Sequence, residues 1–352
     1  MSDKFLLYGV TGYTGALIAR IALEQGLTPV IAGRNKEKLQ AIADPMGVDF
    51  RTFSLDNPMA VDEALADIQV VLNCAGPFSI TAHYLAEGCV RTHTHYLDIA
   101  GEVPEFEAMW RRDEQAKEAD VLLLPGVGFG VVPTDCLALH LKNQLPSATE
   151  LVLAFETVGG ASQGTLSVVL KDLHKVGVVR QKGKLIDARP AAKQRRIDFG
   201  QGDVKTVLNP WRGDLFTAYH STGIDTIETF SAFPAPLPTV MAAERYLGWL
   251  WNSSPFQGML TSLIRRLPAG PTEEQLQTGL TRVWGEVTDT AGQKASARLI
   301  GPEAYIFTAL TAAAIVKRVL AGDLSPGFQT PAQLYGADFI LQIDGVTRED
   351  LS

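Results

Sequence analysis

The chain has 352 residues, 46% hydrophobic and 20% charged, with 32 Gly and 19 Pro; the length predicts two globular domains, and the composition excludes a disordered or collagen-like chain. Its 31 basic and 39 acidic residues give a net charge of −8, so no global field draws it to nucleic acid or anionic lipid, and either partner would need a local basic patch. Cys74, Cys89 and Cys136 show neither CxxC nor zinc-finger spacing, which argues against a disulfide framework and for a reducing, cytoplasmic compartment.

Met1-Ser2-Asp3-Lys4 runs directly into Phe5-Leu6-Leu7-Tyr8 without the pattern of a signal peptide. It reads as a first strand. Further strands are expected at Pro29–Ala32, Asp49–Ser54, Val70–Asn73, His95–Ile99 and Val121–Leu124. Between them, helices are expected near Gly15–Gln25, Lys36–Ile42, Met59–Ala66, Thr81–Val90 and Glu105–Ala119. This alternation predicts an α/β domain with a doubly wound parallel sheet.

From about residue 150 the strands follow one another with fewer helices, at Glu150–Thr157, Asp225–Ser231, Leu280–Asp289 and Gln293–Ile300. A second, α+β domain is expected to hold the substrate and to self-associate. Thr290-Ala291-Gly292 is short enough to close a hairpin. Basic residues between Lys171 and Arg196 read as a solvated face, with phosphate or substrate binding as the alternative, and lack the aromatics of a nucleic-acid platform. Tyr246-Leu247-Gly248-Trp249-Leu250-Trp251 reads as core or as the interface of a homodimer. The run Ala304–Val316 is too short to cross a bilayer, which takes roughly 18 to 20 residues. It is expected to be a buried helix, with no transmembrane segment in the chain.

Gly9-Val10-Thr11-Gly12-Tyr13-Thr14-Gly15 follows the first strand and opens a helix. Gly9 permits the tight turn, Gly12 lets backbone amides approach a pyrophosphate, and Gly15 lets helix and sheet pack closely. Thr11, Tyr13 and Thr14 are expected to line the same cofactor site. The second strand ends in Gly33-Arg34-Asn35, where an acid would bind a ribose 2′-hydroxyl. Arg34, with Asn35 and with Lys38 one turn on, instead suits a 2′-phosphate, so NADP is favoured over NAD. Asp56, after the third strand, can accept from the adenine amino group, although a helix cap explains it equally well.

Three more turns lie at carboxyl ends of strands, where a doubly wound sheet places its ligand. The first is Asn73-Cys74-Ala75-Gly76-Pro77-Phe78, in which Cys74, Ala75, Gly76 and Pro77 are expected beside the nicotinamide. The others are Tyr96-Leu97-Asp98-Ile99-Ala100-Gly101-Glu102 and Pro125-Gly126-Val127-Gly128-Phe129-Gly130. Together with the glycine turn and Ala32-Gly33-Arg34, these motifs resemble those of the saccharopine dehydrogenase-like oxidoreductases over residues 1 to about 140, in particular the branch that includes trans-acting enoyl reductases. The chain departs at Gly130, where that family often carries an acid.

The resemblance implies an NADP-binding Rossmann domain over residues 1–132, an inserted second domain over 133–302 with a mixed sheet, and a segment 303–352 that returns to the first.

No tyrosine here has Lys four positions later, which disfavours short-chain dehydrogenase chemistry. Tyr96, Asp98 and Glu102 are then the catalytic candidates, being the titratable groups nearest the expected nicotinamide. Core packing for Tyr96 and a helix start at Glu102 explain them equally well. His93 and His95 with Cys89 lack a fourth ligand, and no metal is expected. Two functions fit. One is an NADP-dependent enzyme that moves hydride to or from a small organic or lipid-like substrate at C=C, C=N or C=O; the other is an NADPH sensor or scaffold without chemistry.

Overall fold

A computed structural model describes residues 4–172, 175–234, 237–241, 249, 251 and 253–351. The chain forms two units, Met1–Cys136 with Tyr305–Asp344, and Leu137–Ala304 with Gly345–Ser352.

In the first unit the strands are β1 (Phe5–Tyr8), β2 (Pro29–Gly33), β3 (Phe50–Thr52), β4 (Val70–Asn73), β5 (His95–Asp98) and β6 (Leu122–Leu124). They pair in parallel in the order β6-β5-β4-β1-β2-β3, the doubly wound arrangement expected, and β15 (Gly327–Phe328) adds a seventh strand beside β6. Two residues after Pro326 are too short a run to announce a strand. β1, β4 and β6 are buried along their whole length, as central strands covered on both faces must be.

The crossovers are α1 (Tyr13–Glu24), α2 (Lys36–Met46), α3 (Pro58–Leu65) and α4 (Phe78–Thr92), then α5 (Val103–Trp110) and α6 (Asp113–Glu118). Asn35 caps α2 by accepting from the Lys38 amide at 2.9 Å, and Gly47 ends it at φ 65°. Asn57 caps α3 in the same way, with Pro58 at its first position. The single helix expected over Glu105–Ala119 is broken at Arg111-Arg112, and Asp113 at the new start accepts from the Phe328 amide at 2.8 Å.

Among the described residues the second unit contains a mixed sheet of nine strands. β7 (Ala148–Val158) lies between β12 (Thr226–Ser231), parallel to it, and β13 (Leu280–Asp289), antiparallel. β13 turns into β14 (Lys294–Pro302) through the expected hairpin, where the Asp289 carboxylate accepts from the Ala291 and Gln293 amides. β10 (Gln194–Asp198) and β11 (Asp203–Leu208) extend one side through β12, to which β8 (Gly177–Gln181) also pairs, carrying β9 (Lys184–Ala188). Ala154, Phe199, Leu208, Phe230 and Trp284 pack on one face of this sheet.

Two expectations are corrected here. The segment 303–352 does not return whole to the first unit, because β16 (Thr347–Leu351) pairs with β14 in the second sheet. The basic stretch is not uniformly solvated, since Arg180 is buried and donates to the carbonyls of Leu215 and Gly183 at 2.8 Å each, its guanidinium 4.0 Å from the Tyr219 ring centre. Arg195 lies over Trp284 and pairs with Glu286 at 2.7 Å. Of the segment Tyr246–Trp251, residues 246–248 and 250 lie outside the described residues, Trp249 is exposed and Trp251 is buried. The helix expected at Ala304–Val316 runs over Ala304–Leu320.

Candidate functional site

The glycine turn sits at the carboxyl edge of the first sheet. Gly9 has φ 95°, and a Cβ there would stand 2.7 Å from the Ala75 amide nitrogen. A Cβ on Gly15 would stand 2.5 Å from the Gly9 carbonyl. These contacts fix the two outer glycines by close approach of backbone to backbone. Gly12 differs: it is exposed, and only the Gly9 carbonyl, at 3.4 Å, would meet its Cβ. The space beyond it is open.

Gly12 is also the N-cap of α1 and provides no side-chain hydrogen bond to it. The same holds for Pro77 before α4 and Glu102 before α5, whereas α2 and α3 are capped by Asn35 and Asn57. The helices that follow β1, β4 and β5 therefore present their positive dipole ends uncapped at one edge of the sheet, the arrangement that accepts an anion. Thr11, Gly76 and Pro77 are exposed there, and Gly9, Tyr13, Thr14, Cys74 and Ala75 are half-buried. The Tyr13 ring meets Tyr305 edge-on at 5.2 Å.

At the neighbouring strand ends, Arg34, Lys38 and Asp56 are exposed. Asn35 serves as the cap of α2, so its side-chain oxygen is engaged by the Lys38 amide. Asp56 is not the cap of α3, a role taken by Asn57, which leaves its carboxylate outside that helix turn. Tyr8 lies under this corner, its ring 5.2 Å from Phe53. Burial raises the Tyr8 phenol above its ordinary value, while the Arg34 charge lowers it and Asp56 raises it, which puts all three groups within electrostatic reach.

The strongest polar network joins β4, β5 and the turn after β6. Tyr8, Asn73 and Asp98 stand in register across β1, β4 and β5. The Asn73 amide nitrogen donates to Thr81 at 3.1 Å and to the Tyr96 hydroxyl at 3.2 Å. Tyr96 donates to Asp98 Oδ2 at 2.8 Å, and the amides of Ala100 and Gly126 donate to Asp98 Oδ1 at 2.9 and 3.0 Å. One branch runs from Asn73 through Tyr96 to the Asp98 carboxylate, and the other from Asn73 through Thr81 to the Ala75 carbonyl. Burial nevertheless holds its pKa up at about 6, against the lowering effect of those hydrogen bonds. Burial and the Asp98 charge raise Tyr96 well above its ordinary value.

Tyr96 and Asp98 thus share a face, as strand alternation predicted, and both are fully enclosed. Glu102 is half-buried and accepts from the Gly101 amide at 3.0 Å. Cys74 is half-buried, its thiol pushed up by desolvation and by Asp98; this opposes thiolate formation. His93 bonds the Ala119 carbonyl and His95 accepts from the Leu122 amide, so both rings are held by backbone.

Sequence reasoning missed Tyr8, Thr81 and Thr308 as parts of this edge, and named Asn73 only as the first residue of its turn. Thr308 accepts from the Phe129 amide at 3.1 Å, and Thr311 donates to the Val127 carbonyl at 2.9 Å, fixing the turn after β6. The signal for Asn73 was its place opposite Asp98 at the last position of adjacent strands. Thr308 left no signal in sequence, because it arrives from a segment about 180 residues downstream.

The edge fits a dinucleotide: two glycines admit no Cβ, the third opens outward, and the helix starts beside them are uncapped. Residues 5–124 match the family described as saccharopine dehydrogenase NADP-binding domain. A saccharopine dehydrogenase-like oxidoreductase of Mus musculus is 30% identical over 179 residues, 45% of this chain and 42% of that protein. A trans-acting enoyl reductase of Mycobacterium ulcerans is 26% identical over 184 residues, 47% of this chain and 43% of that protein. The matched region thus spans less than half the length of these relatives. In fold, apo saccharopine dehydrogenase (L-Glu forming) from Saccharomyces cerevisiae is similar with a TM-score of 0.68 at 14% identity, covering 99% of this chain and 100% of that one. Over residues 5–124, then, the chain is similar to the saccharopine dehydrogenase NADP-binding domain, whose cofactor is NADP.

Proposed function

We propose that the protein transfers hydride between NADP(H) and a C=C, C=N or C=O bond of a small organic or lipid-like substrate. The observation that carries this reading is the open, uncapped start of α1 at Gly12, with Arg34 and Lys38 exposed at the end of the next strand. The backbone at Gly12, Tyr13 and Thr14 holds the diphosphate, and Arg34 with Lys38 pairs with the 2′-phosphate. Ala75, Gly76 and Pro77 offer the low wall against which the nicotinamide half lies. The bound nucleotide supplies the hydride.

Tyr96 and Asp98 act in this reading as positioning residues: saturated by Asn73, Ala100 and Gly126, they hold the ends of β4, β5 and β6 in register. Glu102 is the carboxyl left to exchange a proton with bound substrate, and its backbone begins α5. The similarity to a trans-acting enoyl reductase supports a C=C bond among the acceptors. The enclosure of Tyr96 and Asp98 favours one second reading, an NADPH-binding sensor that does no chemistry. No helix among the described residues is long and apolar enough to cross a membrane.

Loss of reduced-nicotinamide absorbance with enoyl thioesters, imines and aldehydes distinguishes the two. The enzyme reading expects turnover of one class, lost in Glu102→Gln while NADPH still binds. Tight NADPH binding with no turnover of any class would favour the sensor. Arg34→Ala is expected to weaken NADPH tenfold or more and to leave NADH nearly unchanged, since a charge-assisted phosphate contact is worth about 1.5 to 3 kcal/mol. Equal losses for both nucleotides, measured by fluorescence titration, would remove Arg34 from the 2′-phosphate.

A further inference from the structure

In the second unit the helix Ser254–Arg265 is apolar on two sides. Leu260 and Ile264 are buried, as the inner face requires. Met259 and Leu263, one turn apart on the outer face, are 55% and 54% exposed. Leu267, just past the helix, is 40% exposed and Trp249, shortly before it, 73%. Arg266 falls on the same outer arc and Arg265 beside it; both are exposed, and neither forms an ion pair among the described residues.

From residue 249 to residue 272 these two arginines are the only charged side chains. A chain of net charge −8 thus carries a stretch where exposed aliphatic, indole and cationic groups follow one another with no acid before Glu273 and Glu274. A partner must accept apolar side chains and compensate positive charge at the same depth.

We propose that this outer face docks on an anionic phospholipid surface. Met259 and Leu263 enter the acyl boundary, Trp249 sits at the headgroup level, and Arg265 and Arg266 meet the phosphates. The helix has 12 residues, a length of about 18 Å at 1.5 Å per residue, which lies along an interface and does not span it. A second copy of this chain is the weaker occupant. A two-fold contact through this face would bring four arginines together with no acid from residues 249–272 to compensate them. The inference is independent of the cofactor site, which lies in the other unit.

Co-sedimentation of the intact protein with vesicles of phosphatidylcholine alone, and of phosphatidylcholine mixed with phosphatidylglycerol, tests it. Binding is expected on the anionic vesicles and to weaken as salt rises. Each of Arg265→Gln and Arg266→Gln is expected to lower partitioning about fivefold on anionic vesicles and little on neutral ones. Met259→Ser with Leu263→Ser is expected to lower it at least about tenfold on both. All these positions are exposed, so circular dichroism and NADPH affinity should match the wild type; the arginine variants alone carry the test if the apolar pair fails to fold. No partitioning of the wild type, or equal partitioning of wild type and arginine variants on anionic vesicles, would overturn the proposal. So would a solution mass of twice 38.0 kDa that Leu263→Ser returns to one chain, because the face would then belong to a second copy.

Discussion

Gly12→Val is expected to abolish NADPH binding while leaving the fold intact. A Cβ at Gly12 meets only the Gly9 carbonyl, at 3.4 Å, so the protein itself can accommodate the branch. The two methyls of valine would project into the open space before α1, where the diphosphate must approach the backbone. Loss of even one or two charge-assisted amide contacts costs on the order of a hundredfold in affinity. Gly15→Val makes the contrast, since its Cβ would lie 2.5 Å from the Gly9 carbonyl and within 3.0 Å of Val10. That variant should lose thermal stability as well as binding. Circular dichroism and fluorescence titration of the two variants separate these outcomes, and a Gly12→Val protein that keeps its NADPH affinity would move the cofactor away from this turn.

Asp98→Ala is expected to give the largest loss of stability in the first unit. Three donors, the Tyr96 hydroxyl and the amides of Ala100 and Gly126, point at this carboxylate, and none is exposed enough to turn to water. Removing the acceptor strands them together, at about 3 to 5 kcal/mol, a large part of a domain's roughly 5 to 15 kcal/mol of stability. Gly126 cannot shift to compensate, because it sits at φ 74° with Phe106 packed against it.

The same residue makes stability depend on pH. In the folded chain the Asp98 carboxyl keeps its proton up to about pH 6, against an ordinary value of 3.8. Between those values the native state binds more protons than the unfolded state, so stability falls as pH rises from about 4 to about 6, by up to about 3 kcal/mol. Asp98→Asn, which cannot titrate, should lack this slope. Urea unfolding of both proteins across that range measures the difference; parallel profiles would mean that the burial of Asp98 does not govern its proton.

The first sheet was legible because its strands are short, mostly apolar and separated by helices with their own Gly and Asn punctuation, so the elements and their parallel, doubly wound arrangement followed from general rules. β15 was not, since two residues carry no periodicity. β8 to β11 were also missed: Lys171–Arg196 alternates charge with apolar residues, and the pairing of Arg195 with Glu286 and the burial of Arg180 depend on partners distant in sequence. In the site, the glycines and the Gly33-Arg34 strand end could be read directly, because backbone conformation and charge are local properties. The enclosure of Tyr96 and Asp98 could not, because it depends on Asn73 and Gly126 arriving from other strand ends.

The most direct test of a phosphate-selective cofactor edge is calorimetric titration of the intact wild-type chain with NADPH and with NADH. One NADPH per chain is expected, bound at least about tenfold more tightly than NADH, because a guanidinium at the second strand end meets the 2′-phosphate. Equal affinity for the two nucleotides, or no heat from either, would contradict it.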